Sequence, residues 1–111
     1  MTVSFVLDGA EFTALNGGPE YELNNAVSFV IPTKDQAETD YYYDGLLQGG
    51  GREHACGWVQ DRFGLAWQVT PTRLMELISS PDKATASRVM GAMMTMKKLD
   101  IATLEKAAEA A

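Results

Sequence analysis

The chain has 111 residues with 46% hydrophobic and 22% charged, a length that holds one domain with one core and hardly two. Its formal charge of −6, without a Lys/Arg cluster, argues against a nucleic-acid partner, because phosphate contacts need a concentrated basic surface. No run approaches the ~18 continuous apolar residues of a membrane span and no basic-then-apolar leader stands at the start, so the chain reads as neither membrane-spanning nor exported.

Residues 2–7, "TVSFVL", and 12–16, "FTALN", are β-prone runs joined by "DGAE". An Asp-Gly pair there predicts a hairpin, since the turn needs positive φ values that glycine supplies freely. "GGPEYELNN" reads as loop, and 26–31, "AVSFVI", has the unbroken apolar pattern of a well-buried strand. Thr33 followed by Gln36 matches a capping box that starts a helix of about fifteen residues. Its buried face would carry Thr39, Tyr43, Leu46 and Leu47, and Gly49–Gly51 would stop it.

A weak strand around 51–55 precedes "CGWVQDRFGLAWQVTP", residues 56–71, which reads as a second hairpin. After Pro71 come a helix in "TRLMELIS", one in "ATASRVMGAMMTMKK", and a third, "IATLEKAAEA", capped by Asp100. The stretch from 26 to 70 thus forms a β-α-β-β-β unit. The first hairpin resembles the last two strands of another such unit, "LDGAEF" standing where "QDRFGL" stands later. The expected fold is α+β: one βαβββ module, an N-terminal β-hairpin from a partial second module, and short C-terminal helices in a single domain, 1–111. The exposed edge beside Thr2–Leu7 is most simply covered by a second chain, which predicts a homodimer.

With Asp61–Gly64 as a four-residue turn, Trp58 pairs with Trp67, Val59 with Ala66 and Gly57 with Gln68. Alternation then puts Cys56, Trp58, Leu65, Trp67 and Val69 under the helices. Gly57, Val59, Ala66, Gln68 and Thr70 form a face of small residues around one long amide. That pattern fits a cavity wall and an open solvated sheet face equally well.

"FVLDGAEFTALNGGP", "NAVSFVIPTKDQAETDYYYDGLLQGGG", "CGWVQDRFGLAWQVTP" and "VMGAMMTMKKLDIATLEKA" together resemble the PhnB-like proteins. These are also labelled 3-demethylubiquinone-9 3-methyltransferase-like, within the vicinal oxygen chelate (glyoxalase/bleomycin-resistance) superfamily. The resemblance implies paired βαβββ modules whose sheets curl round a central cavity, usually completed in a dimer. It also implies some forty further N-terminal residues in relatives, hence an N-terminally truncated first module here. Metal-using members carry a Glu ligand on the last strand of a module and commonly a His at the start of its first. The matching positions are Gln68 and Asn25-Ala26, and neutral amides are poor ligands beside carboxylate or imidazole. No cofactor is therefore expected and no metal site is assigned, a divalent metal being conceivable only with ligands the chain does not match.

The candidate ligand-binding residues are Gln68, Asn16 and His54. Gln68 and Asn16 would approach one cavity from two modules if the hairpins are equivalent, although a one-residue change in loop length would turn Asn16 away. His54 is the single histidine and, lying in the polar entry "GREHA" just before a strand, reads first as an exposed loop residue and only second as a site residue. Cys56, the lone cysteine, excludes an internal disulfide, fits a reducing cytoplasmic compartment, and reads as a small hydrophobe rather than a nucleophile. Gly49–Gly51 close a helix rather than open one, which argues against nucleotide or S-adenosylmethionine binding of the Rossmann type. Met90, Met93, Met94 and Met96 read as an adaptable packing face, Asp40, Tyr41 and Tyr42 as a solvated helix face, and Lys97 and Lys98 as charges at a helix C-terminus. The function expected is small-molecule binding of the vicinal-oxygen-chelate type without a metal-dependent catalytic site. The alternatives are a metal-dependent lyase, isomerase or dioxygenase of that superfamily and, further off, the methyltransferase of the family label.

Overall fold

Strands β1 (Thr2–Leu7) and β2 (Ala10–Leu15) pair as an isolated antiparallel hairpin in the computed structural model, which describes residues 1–109. Next come β3 (Ser28–Thr33), α1 (Gln36–Leu47), β4 (Arg52–Glu53), a 3₁₀ turn at Ala55–Gly57, β5 (Trp58–Gln60) and β6 (Ala66–Pro71). Three helices follow: α2 (Thr72–Ile78), α3 (Lys83–Met93) and α4 (Ile101–Glu109). The expected last helix reached Ala110, which lies outside the described residues. The architecture is α+β with two sheets, drawn out to 57 × 27 × 24 Å. Among the described residues no helix is long and apolar enough to cross a membrane.

The first hairpin turns on Asp8 and Gly9 alone, at φ 48° and 80°. Positive φ at both central residues gives the turn whose twist matches the strands it joins. Ala10 and Glu11 therefore belong to β2 rather than to the turn. Asn16 lies just past β2, its N–H bonded to the carbonyl of Met1 at 3.0 Å.

The second sheet has the order β3-β6-β5-β4, with β3 parallel to β6 and the other pairs antiparallel. Helix α1 is the crossover's cover. Its buried Thr39 and Tyr43, with half-buried Leu46 and Leu47, form the expected face, and Tyr43 packs with fully buried Val59 and Val69. The helix runs twelve residues rather than fifteen. Its cap also lies two residues later than expected: Asp35 is the N-cap and accepts from the Glu38 N–H at 2.8 Å, while Glu38 reaches back past the cap to the Lys34 N–H at 3.2 Å. Thr33 is still strand; its buried hydroxyl meets that of Thr39 at 2.7 Å, and Thr39 in turn donates to the Asp35 carbonyl.

The β5–β6 register corrects the expected pairing by one residue. Gln60 faces Ala66, Val59 faces Trp67 and Trp58 faces Gln68. The reason is Asp61. Its Oδ1 accepts from the N–H groups of Phe63 and Leu65, and its Oδ2 from Trp67 Nε1, at 2.9–3.0 Å. That carboxylate stabilises a five-residue turn, closed by Asp61 N–H to Leu65 O at 2.9 Å. A one-residue slip exchanges faces, so Trp58 joins Gln68 and Val59 joins Trp67. Cys56 is in the 3₁₀ turn at φ 61°, not on a strand face. Strand β3 is an edge strand whose Phe29 and Val30 are exposed, which corrects the expectation of a well-buried strand.

Helices α2 to α4 close a second core of Leu74, Leu77, Val89, Leu99 and Leu104. Met93 and Met96 pack on it, while Met90 and Met94 stay exposed, so the methionine row divides into two roles. Helix α3 ends at Met93, before Lys97 and Lys98. Lys98 instead crosses to α1, 3.3 Å from Asp40 and 2.9 Å from Asp44. The Gln36 amide holds the two cores together: Nε2 donates to Leu99 O and Asp40 Oδ1, and Oε1 accepts from Ile101 N–H. The 3₁₀ turn adds Cys56 N–H to Met96 O and Gly57 N–H to Lys97 O at 2.8 and 2.7 Å.

Candidate functional site

Alternation across the four-stranded sheet assigns every side chain to a face. Val59, Trp67, Val69, Phe29, Ile31 and Thr33 turn to the side covered by α1. Ser28, Val30, Trp58, Gln60, Ala66, Gln68 and Thr70 turn to the other. Helix α1 does not cover this second face: Val30 is 56% exposed and Ser28, Trp58, Gln60, Gln68 and Thr70 are half-buried, while Ala66 at one end is buried.

Gln68 stands at its centre. One amide N–H donates to the Ser28 hydroxyl at 2.9 Å, which fixes the side chain across the neighbouring strand. Its carbonyl oxygen accepts from no group among the described residues and is free to receive a donor from a ligand. His54 falls on the same row. Arg52 pairs with Gln60 and Glu53 with Val59, and the His54 N–H bonds to the Trp58 carbonyl at 2.9 Å, so one rung runs His54, Trp58, Gln68, Val30. His54 and Gln68 lie two strands apart, roughly 10 Å at ordinary strand spacing, with the indole between them. The His54 Nε2 is shielded from solvent and has no hydrogen-bond partner among the described residues.

Asn16 is exposed and stays on the first hairpin. That hairpin touches the sheet through a row of aromatic rings, Phe5, Phe12, Phe29 and Trp67, with successive centroids 5.5–6.0 Å apart. Phe29 and Trp67 belong to the α1 side, so Asn16 stays apart from Gln68, while His54 shares its rung at a distance of two strands and makes no contact with it. Ser28, Val30 and Trp58 complete the face and were not singled out from sequence. The signal for Ser28 was one polar residue inside "AVSFVI"; Trp58 was hidden by the register.

Other titratable groups serve the fold. The Tyr43 hydroxyl donates to Glu53 at 2.9 Å; burial, reinforced by that carboxylate, pushes the phenol well above its usual range. The amide of Gln36, aided by Lys98, holds Asp40 below the ordinary carboxylate range, so Asp40 braces the helix rather than facing solvent alone. Cys56 Sγ lies 3.6 Å from Met94 Sδ. Gly49–Gly51 close α1, with Gly51 N–H bonded to Leu47 O.

Among the described residues no three His, Cys, Asp or Glu side chains cluster so as to hold a metal ion. The turn from β3 into α1 contains no glycine, and the Asp35 and Glu38 carboxylates stand at it, accepting from the N–H groups of Glu38 and Lys34. It therefore does not fit the phosphate- and nucleoside-cradling turn that an S-adenosylmethionine site of Rossmann type uses.

No curated protein matched the chain. A family model described as 3-demethylubiquinone-9 3-methyltransferase matches residues 1–70, from the first hairpin through the rung that carries Gln68, which is well over half of the 111 residues. The chain belongs to the 3-demethylubiquinone-9 3-methyltransferase family.

Proposed function

We propose that the chain is a small-molecule-binding protein of the vicinal-oxygen-chelate type, acting without a metal-dependent catalytic site. The observation that carries this reading is Gln68, pinned by Ser28 on the sheet face opposite α1, with an unpartnered amide oxygen and an indole beside it. A neutral amide there offers a hydrogen bond to an oxygenated ligand and little to a divalent cation. The strand order β3-β6-β5-β4 around a parallel β3–β6 pair supports a glyoxalase-like βαβββ module. The family label suggests methyl transfer, but the glycine-free β3–α1 turn gives that reading no support.

We also propose that two copies associate. Every residue of β1 is exposed, and Val3, Phe5 and Leu7 share one face with Phe12, a poor arrangement for a two-stranded hairpin in water. A reducing cytoplasmic setting suits the free thiol of Cys56.

The test is a thermal-shift screen of small oxygenated compounds, followed by NMR mapping of each hit. Binders should perturb Trp58 and Gln68 and lose affinity in Gln68→Ala. A screen whose hits all map elsewhere defeats the reading. Gln68→Glu with added Mn²⁺ separates the metal-dependent alternative: tight metal binding by the unaltered chain would favour the enzyme.

A further inference from the structure

The molecule has four arginines, and they fall into two pairs. Arg73 bonds Glu76 and Glu105, each at 3.0 Å, and Arg88 caps the carbonyls of Ala107 and Ala108. Arg52 and Arg62 form no ion pair, and their side chains make no hydrogen bond, among the described residues. Both line the same cleft, of about 630 Å³, between the loop at 19–23 and the β5–β6 turn. Tyr21, Gln60 and Phe63 line it too. That volume is in the range of small-ligand sites.

The Arg62 guanidinium is held rather than loose. It lies 4.7 Å from the centroid of the Phe63 ring, a cation–π contact. Its stem crosses Gly49 so closely that a β-carbon there would come within 2.9 Å of Cδ and 3.2 Å of Nη1. Gly49, at φ 78°, is thus the residue that lets Arg62 lie flat over the end of α1, where the helix dipole also favours a cation. Two acids flank the cleft, Asp61 and Glu22. Asp61 already accepts three N–H groups from Phe63, Leu65 and Trp67. Glu22 pairs with neither arginine.

We propose that this cleft binds a small aromatic carboxylate, its carboxylate between the Arg52 and Arg62 guanidiniums and its ring against Phe63 and Tyr21. Guanidinium forks match the two oxygens of a carboxylate, and the two exposed aromatic side chains supply apolar contact. The site goes beyond the reading centred on Gln68 and does not depend on it.

The experiment is an amide NMR titration of the full chain with sodium benzoate at constant ionic strength. Saturable shifts are expected at residues 50–52 and 60–64, unchanged in Gln68→Ala. Arg52→Gln and Arg62→Gln should each weaken binding by roughly tenfold, the loss of one charge-assisted contact, while Glu22→Gln should tighten it. Arg62→Lys should recover only part of the loss, since it keeps the charge without the fork. Spectral dispersion checks that each variant is folded. Shifts that never saturate, equal binding of neutral benzamide, or undiminished binding in the Arg52→Gln, Arg62→Gln double variant would each overturn the proposal.

Discussion

The hairpin β1–β2 and the helical cluster α2–α4 are both short segments rich in apolar side chains, yet they stand in opposite relations to solvent. Leu99 and Leu104 are fully buried by neighbours from their own part of the chain. Val3, Phe5 and Leu7 remain about half exposed, although they alternate as correctly as any buried strand. Pattern alone makes a face apolar; it does not supply the surface that covers it. Three helices can close on one another, whereas a two-stranded ribbon has no second layer and needs one from elsewhere.

That contrast can be tested from its strongest side downwards. Leu99→Ala should cost about 2–5 kcal/mol, the usual penalty for a cavity in a packed core, read from the midpoint of urea unfolding and independent of protein concentration. Gly57→Ala comes next. Its φ of 83° and a β-carbon 2.8 Å from Val69 O and 3.0 Å from Leu99 Cδ1 leave no room for a side chain. The backbone strain alone costs about 1–2 kcal/mol, and thermal unfolding should show at least that much. Phe5→Ala in the hairpin should behave differently: body stability should hold, while dissociation of the proposed dimer, followed by sedimentation equilibrium, should rise by about tenfold, or about 1.4 kcal/mol. A Phe5→Ala protein that unfolds as easily as Leu99→Ala would erase the distinction between the two regions.

Smaller effects sharpen the boundary between the cores. Thr33→Val removes one buried hydroxyl–hydroxyl bond while Thr39 keeps its bond to Asp35 O, so a loss of about 0.5–1.5 kcal/mol is expected by urea unfolding. Lys98→Met should cost under about 1 kcal/mol, because the Lys98, Asp40 and Asp44 cluster is partly exposed and screened by salt. Its pH dependence follows from the signs. Asp40 is held below its ordinary value, so its contribution is complete above that value and fades as pH falls through the lower folded one. Lys98, held above its ordinary value chiefly by Asp44, loses its contribution as pH rises through the higher folded one.

Much of this was legible in the sequence, and the failures share a physical cause. Asp8-Gly9, the Thr39–Tyr43 helix face, the glycine stop and the Asp100 cap announce themselves through local chemistry. The stretch from Thr33 to Glu38 contains two overlapping cap signals, and choosing between them required knowing that β3 keeps Thr33. The second hairpin's register turned on a single residue of loop length, set by three N–H groups converging on Asp61. Gln68 was found because an amide inside a strand is conspicuous. The Arg52–Arg62 pair was not, since only the folded chain shows which cations lack acceptors.

The Gln36 side chain carries a consequence for kinetics. The contacts of α2, α3 and α4 are close in sequence, whereas Gln36 reaches across 63 residues to Leu99 and 65 to Ile101. Bonds that span so much chain form late, after the local helices have gathered. Replacing Gln36 by alanine should therefore steepen the escape from the native state, with faster unfolding at an almost unchanged refolding rate. Gln36 would then act as a latch on the lifetime of the folded protein.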